Sequence, residues 1–398
     1  MNIKLALALS ATAMLMGGTA MATDVKIGVL NDMSGVYADI SGMGSVVAAQ
    51  MAVEDFGAAE KGINVEIVSA DHQNKPDVGS TITRQWYDQE GVDMIVDVPT
   101  SSVALAVSEI TREKNKIHMN TGAGTTELTG PQCSPNTIHW LYDTYALAYG
   151  TGSAMVAEGG QTWFFITADY AFGHSLEQEA SNVVTKAGGE VLGSVRHPFP
   201  GQDFSSFLLQ AQSSGADVIG LANAGGDTIN AVKQASEFGI TQGGQDLAAL
   251  LIFITDIHAL GLQTAQGLVL TEPFYWNLND GTREFAQRFG ERHGGAMPTA
   301  DHAGVYSAVT HYLKAVEATG GKETEALLGS MREIPADDPL LGPGEIQANG
   351  RKIHDMYLFR VKAPDASEGP WDYYETVATI PAAEAFKPVA ESGCPLVN

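Results

Sequence analysis

The sequence predicts an α/β protein built from two successive doubly wound units, on three observations. Short apolar runs alternate with amphipathic stretches from Asp24 onward, the pattern of a parallel sheet covered by helices on both faces. The alternation restarts at WFFITA, Trp163 to Ala168, with no Pro- or Ser-rich linker before it. With 398 residues the chain is too long for one core, and with 44% hydrophobic residues it can bury two.

In chain order, the strand-like VKIGVL leads to the helix-like SVVAAQMAVEDFGAA, VEIVSA to TITRQWYDQE, DMIVDV to VALAVSEITREK, and KIHMN to a Gly-Thr turn. In the second unit WFFITA is followed by FGHSLEQEASNVVTKAG, EVLGSVRH by FSSFLLQAQSSG, DVIGLAN by TINAVKQASEFG, and LLIFIT by a shorter helical piece before GLVLTEPF. The helix-rich stretch from Thr282 to Met331 comes too late to belong simply to the second unit, so the chain is expected to return to the first. The expected division is a first lobe of residues 23–143 and 275–345 and a second of 144–274 and 346–398.

The opening MNIKLALALSATAMLMGGTAMATD has Lys4 as its only charge before an apolar run, then Ala20-Met21-Ala22. This is the pattern of a secretory signal over residues 1–22, and the run is shorter than the roughly 20 residues a spanning helix needs. With no cysteine at the cut, the mature chain is expected free in a periplasm-like space. A net charge of -25 argues against a nucleic-acid partner, which requires clustered Lys and Arg.

In open α/β sheets, ligands lie beyond the carboxyl ends of the strands, where helix N-termini offer unpaired N–H groups. VDVPTSSVALAVSEI passes from strand to helix at such a place, and Ser101 or Ser102 there can cap the helix, donate to an anion, or do both. The next strand ends in NTGAGTTELTG. In it Gly122 and Gly124 allow close approach to backbone, and Thr125 precedes a helix start. Two adjacent donor-rich strand ends make a cradle for a carboxylate. The second unit offers the acids Asp169, Asp227 and Asp256 at its own strand ends, two of them expected only to cap helices. Tyr170 and Phe172 add flat apolar area.

Enzymatic signatures are missing from the sequence. Gly42 and Gly44 form half a dinucleotide fingerprint too far from the strand, and there is no GxSxG, HExxH, Walker-type loop or zinc spacing. No catalysis, cofactor or metal is expected. The two cysteines of an exported chain, Cys133 and Cys394, are expected to pair and to pin the C-terminal tail against the first lobe.

DHQNKPD, VPTSSVALAV, FFITADYAFGHSLE, LANAGGDTINAVKQASEFGI, FYWNLND and PWDYYETVATIP together carry a resemblance. Across nearly the whole mature chain the sequence resembles the periplasmic solute-binding proteins of ABC importers in the leucine/isoleucine/valine-binding family. The resemblance implies a type I periplasmic-binding fold, two Rossmann-like lobes on a three-segment hinge. It also implies capture of a small carboxylate-bearing solute (a branched-chain or other hydrophobic amino acid, or an aromatic acid) as a monomer, and delivery to membrane permease subunits. A ligand-sensing protein of the same fold is the alternative, and a hydrolase or dehydrogenase a remote one. Family positions for the ligand carboxylate fall on Ser101 and on Gly122 with Gly124. Gly124 stands where amino-acid binders have threonine, and the acid nearest the family's ammonium-binding glutamate is Asp256.

Overall fold

A computed structural model describes residues 22–397 of the chain, so the expected export signal lies outside the described residues except for Ala22. The first sheet has the order β2-β1-β3-β4-β5, from β1 (Thr23–Asn31), β2 (Ile63–Asp71), β3 (Met94–Asp97), β4 (Ile117–Asn120) and β5 (Thr137–His139). All its pairings are parallel. Every residue of β3, β4 and β5 is buried, as expected of strands covered on both faces. In register, Leu30 pairs with Asp97, Asp97 with Asn120 and Asn120 with His139. The strands therefore end level, and their outgoing loops emerge side by side.

The second sheet, in the order β7-β6-β8-β9, is also parallel, from β6 (Thr162–Ala168), β7 (Glu190–His197), β8 (Val218–Ala222) and β9 (Asp246–Ala249). Beyond it β10 (Val269–Glu272) joins an antiparallel sheet with β13 (Met356–Val361) and β14 (Tyr374–Ile380), while β11 (Glu345–Ile346) pairs with β12 (Lys352–Ile353).

The late helix Ala300–Thr319 packs on the early helix Gly42–Phe56. Its start is tied there as well: the Thr299 hydroxyl donates to Ile40 O (2.7 Å) and accepts from His302 N, and His302 Nε2 meets Ser41 O at 2.8 Å. These contacts set the late helix against the first unit. Arg351 forms a bridge with His139 at the end of β5, and the Asn349 amide donates to Thr129 O, so residues 349–351 lie against the first sheet too.

Cys133 and Cys394 are disulfide-bonded, with Cα atoms 5.6 Å apart and a separation of 261 positions in sequence. A closed loop of that length constrains the unfolded chain strongly, and native bonds of this kind typically contribute about 2–4 kcal/mol. The double variant Cys133→Ser, Cys394→Ser is expected to lose about that much in denaturant titration. A midpoint equal to that of the unaltered protein would mean that the tail stays docked without the bond.

Candidate functional site

The level strand ends of the first sheet face those of the second across a cleft, with Tyr37, Ile40, Pro99, Gly122 and Tyr142 on one side. Tyr170, Phe172, Ala224, Leu251 and Phe253 close it from the other, and the space left between them is about 10 Å³, room for roughly one water molecule, so the walls stand nearly shut.

Each wall has a local cause. In the loop after β1 the Asp32 carboxylate accepts from the backbone N–H of Gly35 (2.7 Å) and Tyr37 (2.9 Å), which turns the chain and aims Tyr37 at the cleft. A side chain at Gly35 would strike that carboxylate at 2.6 Å. After β3, Asp97 (φ 86) and Val98 (φ 62) both take left-handed backbone conformations that non-glycine residues rarely adopt. They swing Pro99 into the wall before the helix Ser101–Glu113 begins. Strain of this sort clusters at functional sites.

The lobes touch across the cleft. Tyr37 and Tyr170 meet hydroxyl to hydroxyl at 2.5 Å, Gly226 N donates to Val36 O (3.1 Å), and the rings of Tyr37 and Phe199 lie with centres 5.6 Å apart. The Tyr142 hydroxyl donates to Gly122 O (2.7 Å), joining the segment that leaves β5 for the second unit to the loop after β4.

Of the residues singled out from sequence, Gly122, Tyr170 and Phe172 line the cavity. Gly124 lies just behind, where a Cβ would sit 2.9 Å from the Phe172 ring; the smallest residue is what lets that ring pack there. Ser101 is fully buried behind Pro99, and its oxygen accepts from Thr125 N (3.3 Å), leaving the hydroxyl proton to be donated elsewhere. It does not cap its helix: Thr100 holds the N-cap position and donates its own hydroxyl to Asn74, so no side chain caps the first turn. Ser102 is half-buried one position further on, and the Thr125 hydroxyl accepts from Glu127 N as a cap.

None of the three acids lines the cavity, though Asp227 is near enough to act on the hydroxyls of Tyr37 and Tyr170. Asp256 is buried and accepts from Phe253 N (2.9 Å) at the start of its own helix. Asp227 is buried, accepts from Gly201 N (2.9 Å), and has its other oxygen 3.8 Å from His197 Nδ1. Burial pushes each carboxyl up to about 7. Asp169 is exposed and pairs with His174 at 2.8 Å. Every cavity-lining residue is uncharged, so an anion there must be met by hydroxyls, backbone N–H groups and a helix N-terminus. Among the described residues no group of three His, Cys, Asp or Glu is placed to hold a metal ion.

Sequence reasoning missed Tyr37, Ile40, Pro99, Tyr142, Ala224, Leu251 and Phe253. The signal for Tyr37 was the loop NDMSGVYADISG at a strand's carboxyl end, weighed only as a phosphate loop. Tyr142 sits in TIHWLYD, which reads as a crossing strand.

Residues 24–369 match the family model described as periplasmic binding protein. The fold is similar to a periplasmic binding protein from Burkholderia mallei, at 51% identity over 94% of this chain and 100% of that one, with a TM-score of 0.92. It is also similar to a branched chain amino acid ABC transporter periplasmic ligand-binding protein from Burkholderia xenovorans. That match has 42% identity over 94% of this chain and 99% of that one, with a TM-score of 0.83. A Leu/Ile/Val-binding protein homolog of Brucella melitensis is 26% identical over 91% of this chain and 94% of its own length. Paired parallel sheets, a cleft at their facing strand ends and a family match over most of the sequence lead to one conclusion: the chain belongs to the periplasmic binding protein family.

Proposed function

We propose that this chain is the solute-capturing subunit of an ABC importer, that its solute is a small carboxylic acid without an ammonium group, and that it hands the solute unchanged to a membrane permease. The uncharged, aromatic wall of the cleft carries this reading: Tyr37, Tyr142, Tyr170, Phe172 and Phe253 surround it and no acid joins them. A zwitterionic amino acid would bring an ammonium group, and a buried unpaired charge costs several kcal/mol. A flat acid needs only ring surface and donors to one carboxylate. On this reading the lobes divide near residues 143 and 275, and the cleft opens there to admit the solute.

Thermal melting with benzoate, 4-hydroxybenzoate, cinnamate, leucine and phenylalanine tests the ligand class. A ligand at a hundred times its dissociation constant stabilises by about 2.7 kcal/mol, well within reach of a melting curve. The aromatic acids are expected to raise the midpoint and the amino acids to leave it unchanged. The names of the Burkholderia xenovorans and Brucella melitensis relatives favour a second reading, a branched-chain amino acid, which predicts the reverse pattern. In that case Asp256→Asn, with Asp227→Asn behind it, abolishes amino-acid binding.

Ser101→Ala is expected to weaken carboxylate binding roughly tenfold or more, since a hydrogen bond to a charged group contributes about 1.5–3 kcal/mol. Calorimetric titration of the folded variant checks it. Equal affinity would reduce Ser101 to the partner of Thr125 N.

A further inference from the structure

Directly behind the cleft wall two carboxyl groups face each other. Asp97 ends β3, Asp301 opens the helix Ala300–Thr319, and both are fully buried. The Asn31 amide donates to Asp97 Oδ2 (2.8 Å). The other Asp97 oxygen and both Asp301 oxygens receive nothing from any amide or cation. The hydroxyl of Ser45, from the helix Gly42–Phe56, adjoins Asp97, and that of Thr121, after β4, adjoins Asp301. Tyr142 faces both acids from the connecting segment, with its own proton committed to Gly122 O. His302, next in sequence to Asp301, is turned to Ser41 O and Thr299 N. No lysine, arginine or histidine acts on either acid. Each carboxyl has the other as a neighbour, and three of their four oxygens are otherwise without a partner. A hydrogen bond between them needs a proton, which two ionised carboxylates lack.

The pair lies one backbone thickness from the solute. A Cβ on Gly122 would sit 2.9 Å from Asp301 Oδ2 and 2.7 Å from Pro99 Cα, and Gly122 and Pro99 both line the cleft.

We propose that Asp97 and Asp301 share a single proton and act as a positioning pair beneath the anion subsite, so that capture of a carboxylate and retention of that proton are linked. While the proton is held, the pair carries one negative charge and ties the loop after β3 to the returning helix. When it is lost, a second negative charge appears under the place where the solute's carboxylate must sit. Burial and mutual repulsion both raise the pair's titration above the ordinary carboxylate range, which favours the shared-proton form. Linkage is reciprocal: a bound carboxylate strengthens the hold on the proton as much as the proton strengthens binding.

The link to capture rests on the proposed function, in which the cleft takes a carboxylate, so the test has one arm that needs no solute. In that arm, melting of ligand-free protein is followed from about pH 5 to about pH 9. For acids raised in the folded state, stability is present at low pH and lost as pH rises through the folded-state titration. The unaltered protein is expected to lose melting temperature over that span more steeply than Asp301→Asn or Asp97→Asn, each of which keeps a donor at the site. Asp227 and Asp256 titrate in all three proteins and cancel in the comparison. In the second arm the affinity of benzoate and 4-hydroxybenzoate is measured over the same span. A fall of roughly five- to tenfold with rising pH is expected, flattened in Asp301→Asn. Parallel melting profiles for the unaltered protein and both variants would overturn the shared proton. Steeper melting with no pH dependence of affinity would overturn its link to capture. Failure of every probe to bind would count against the carboxylate reading, while the first arm still decides the pair.

Discussion

Replacing Arg351 by methionine is expected to lower the stability of the folded protein by about 3–5 kcal/mol, the cost of stranding a buried charge. Arg351 is fully enclosed at the place where the chain passes between the lobes. Its guanidinium donates to Leu141 O and Tyr142 O, lies 3.7 Å from the Asp143 carboxylate and covers the Phe386 ring at 4.4 Å. Burial pulls the guanidinium down to about 10, and Asp143 offsets part of that. Without it, Asp143 is left buried without its ion-pair partner, Tyr142 O loses the guanidinium N–H, and Leu141 O keeps only His354 Nε2. Methionine fills much of the same space, so the loss reports the polar contacts rather than a void. Because Tyr142 lines the cleft, solute affinity is expected to fall as well. Denaturant melts of the variant check the first effect, and a change under about 1 kcal/mol would show that the segment is held by packing alone.

Gly225→Ala is expected to weaken solute binding by roughly a hundredfold, about 2.8 kcal/mol. Gly225 has φ 56, and a Cβ there would lie 2.4 Å from Val36 O, on the opposite lobe. The collision exists only when the lobes are shut, since it is made against the same carbonyl that accepts from Gly226 N. The left-handed backbone alone also costs something with alanine, and Gly215→Ala separates the two effects. Gly215 has φ 67 and nothing within 4 Å of its added Cβ. That control is expected to lose stability and keep its affinity. If both variants bind as tightly as the unaltered protein, closure through the Val36 to Gly226 contact is not needed for capture.

The two sheets were legible because hydrophobic alternation is a local property of each segment. Gly122, Tyr170 and Phe172 were legible because they stand at strand ends, where open α/β sheets place ligands. Tyr37 and Phe253 were not, because each becomes part of a wall only when residues more than a hundred positions away face it across the cleft. Asp256 was legible only as one of two alternatives. An acid at the start of a helix reads the same whether it meets a solute or, as here, the backbone N–H of Phe253. Asp97 was equally opaque: it stands in a strand that reads as apolar, and its partner Asp301 lies 204 residues later in sequence. Nothing in the pattern of either segment says that the two meet.

On the proposed function, capture depends on a cleft that shuts over a carboxylate, and solution X-ray scattering measures that shutting directly. Profiles are recorded for the empty protein and at saturation with whichever probe raises the melting temperature. The expected result is a smaller radius of gyration with the probe bound, and a bound profile that matches one calculated from the present structure, with Tyr37 against Tyr170. Superimposable profiles with and without a saturating probe would contradict closure on capture.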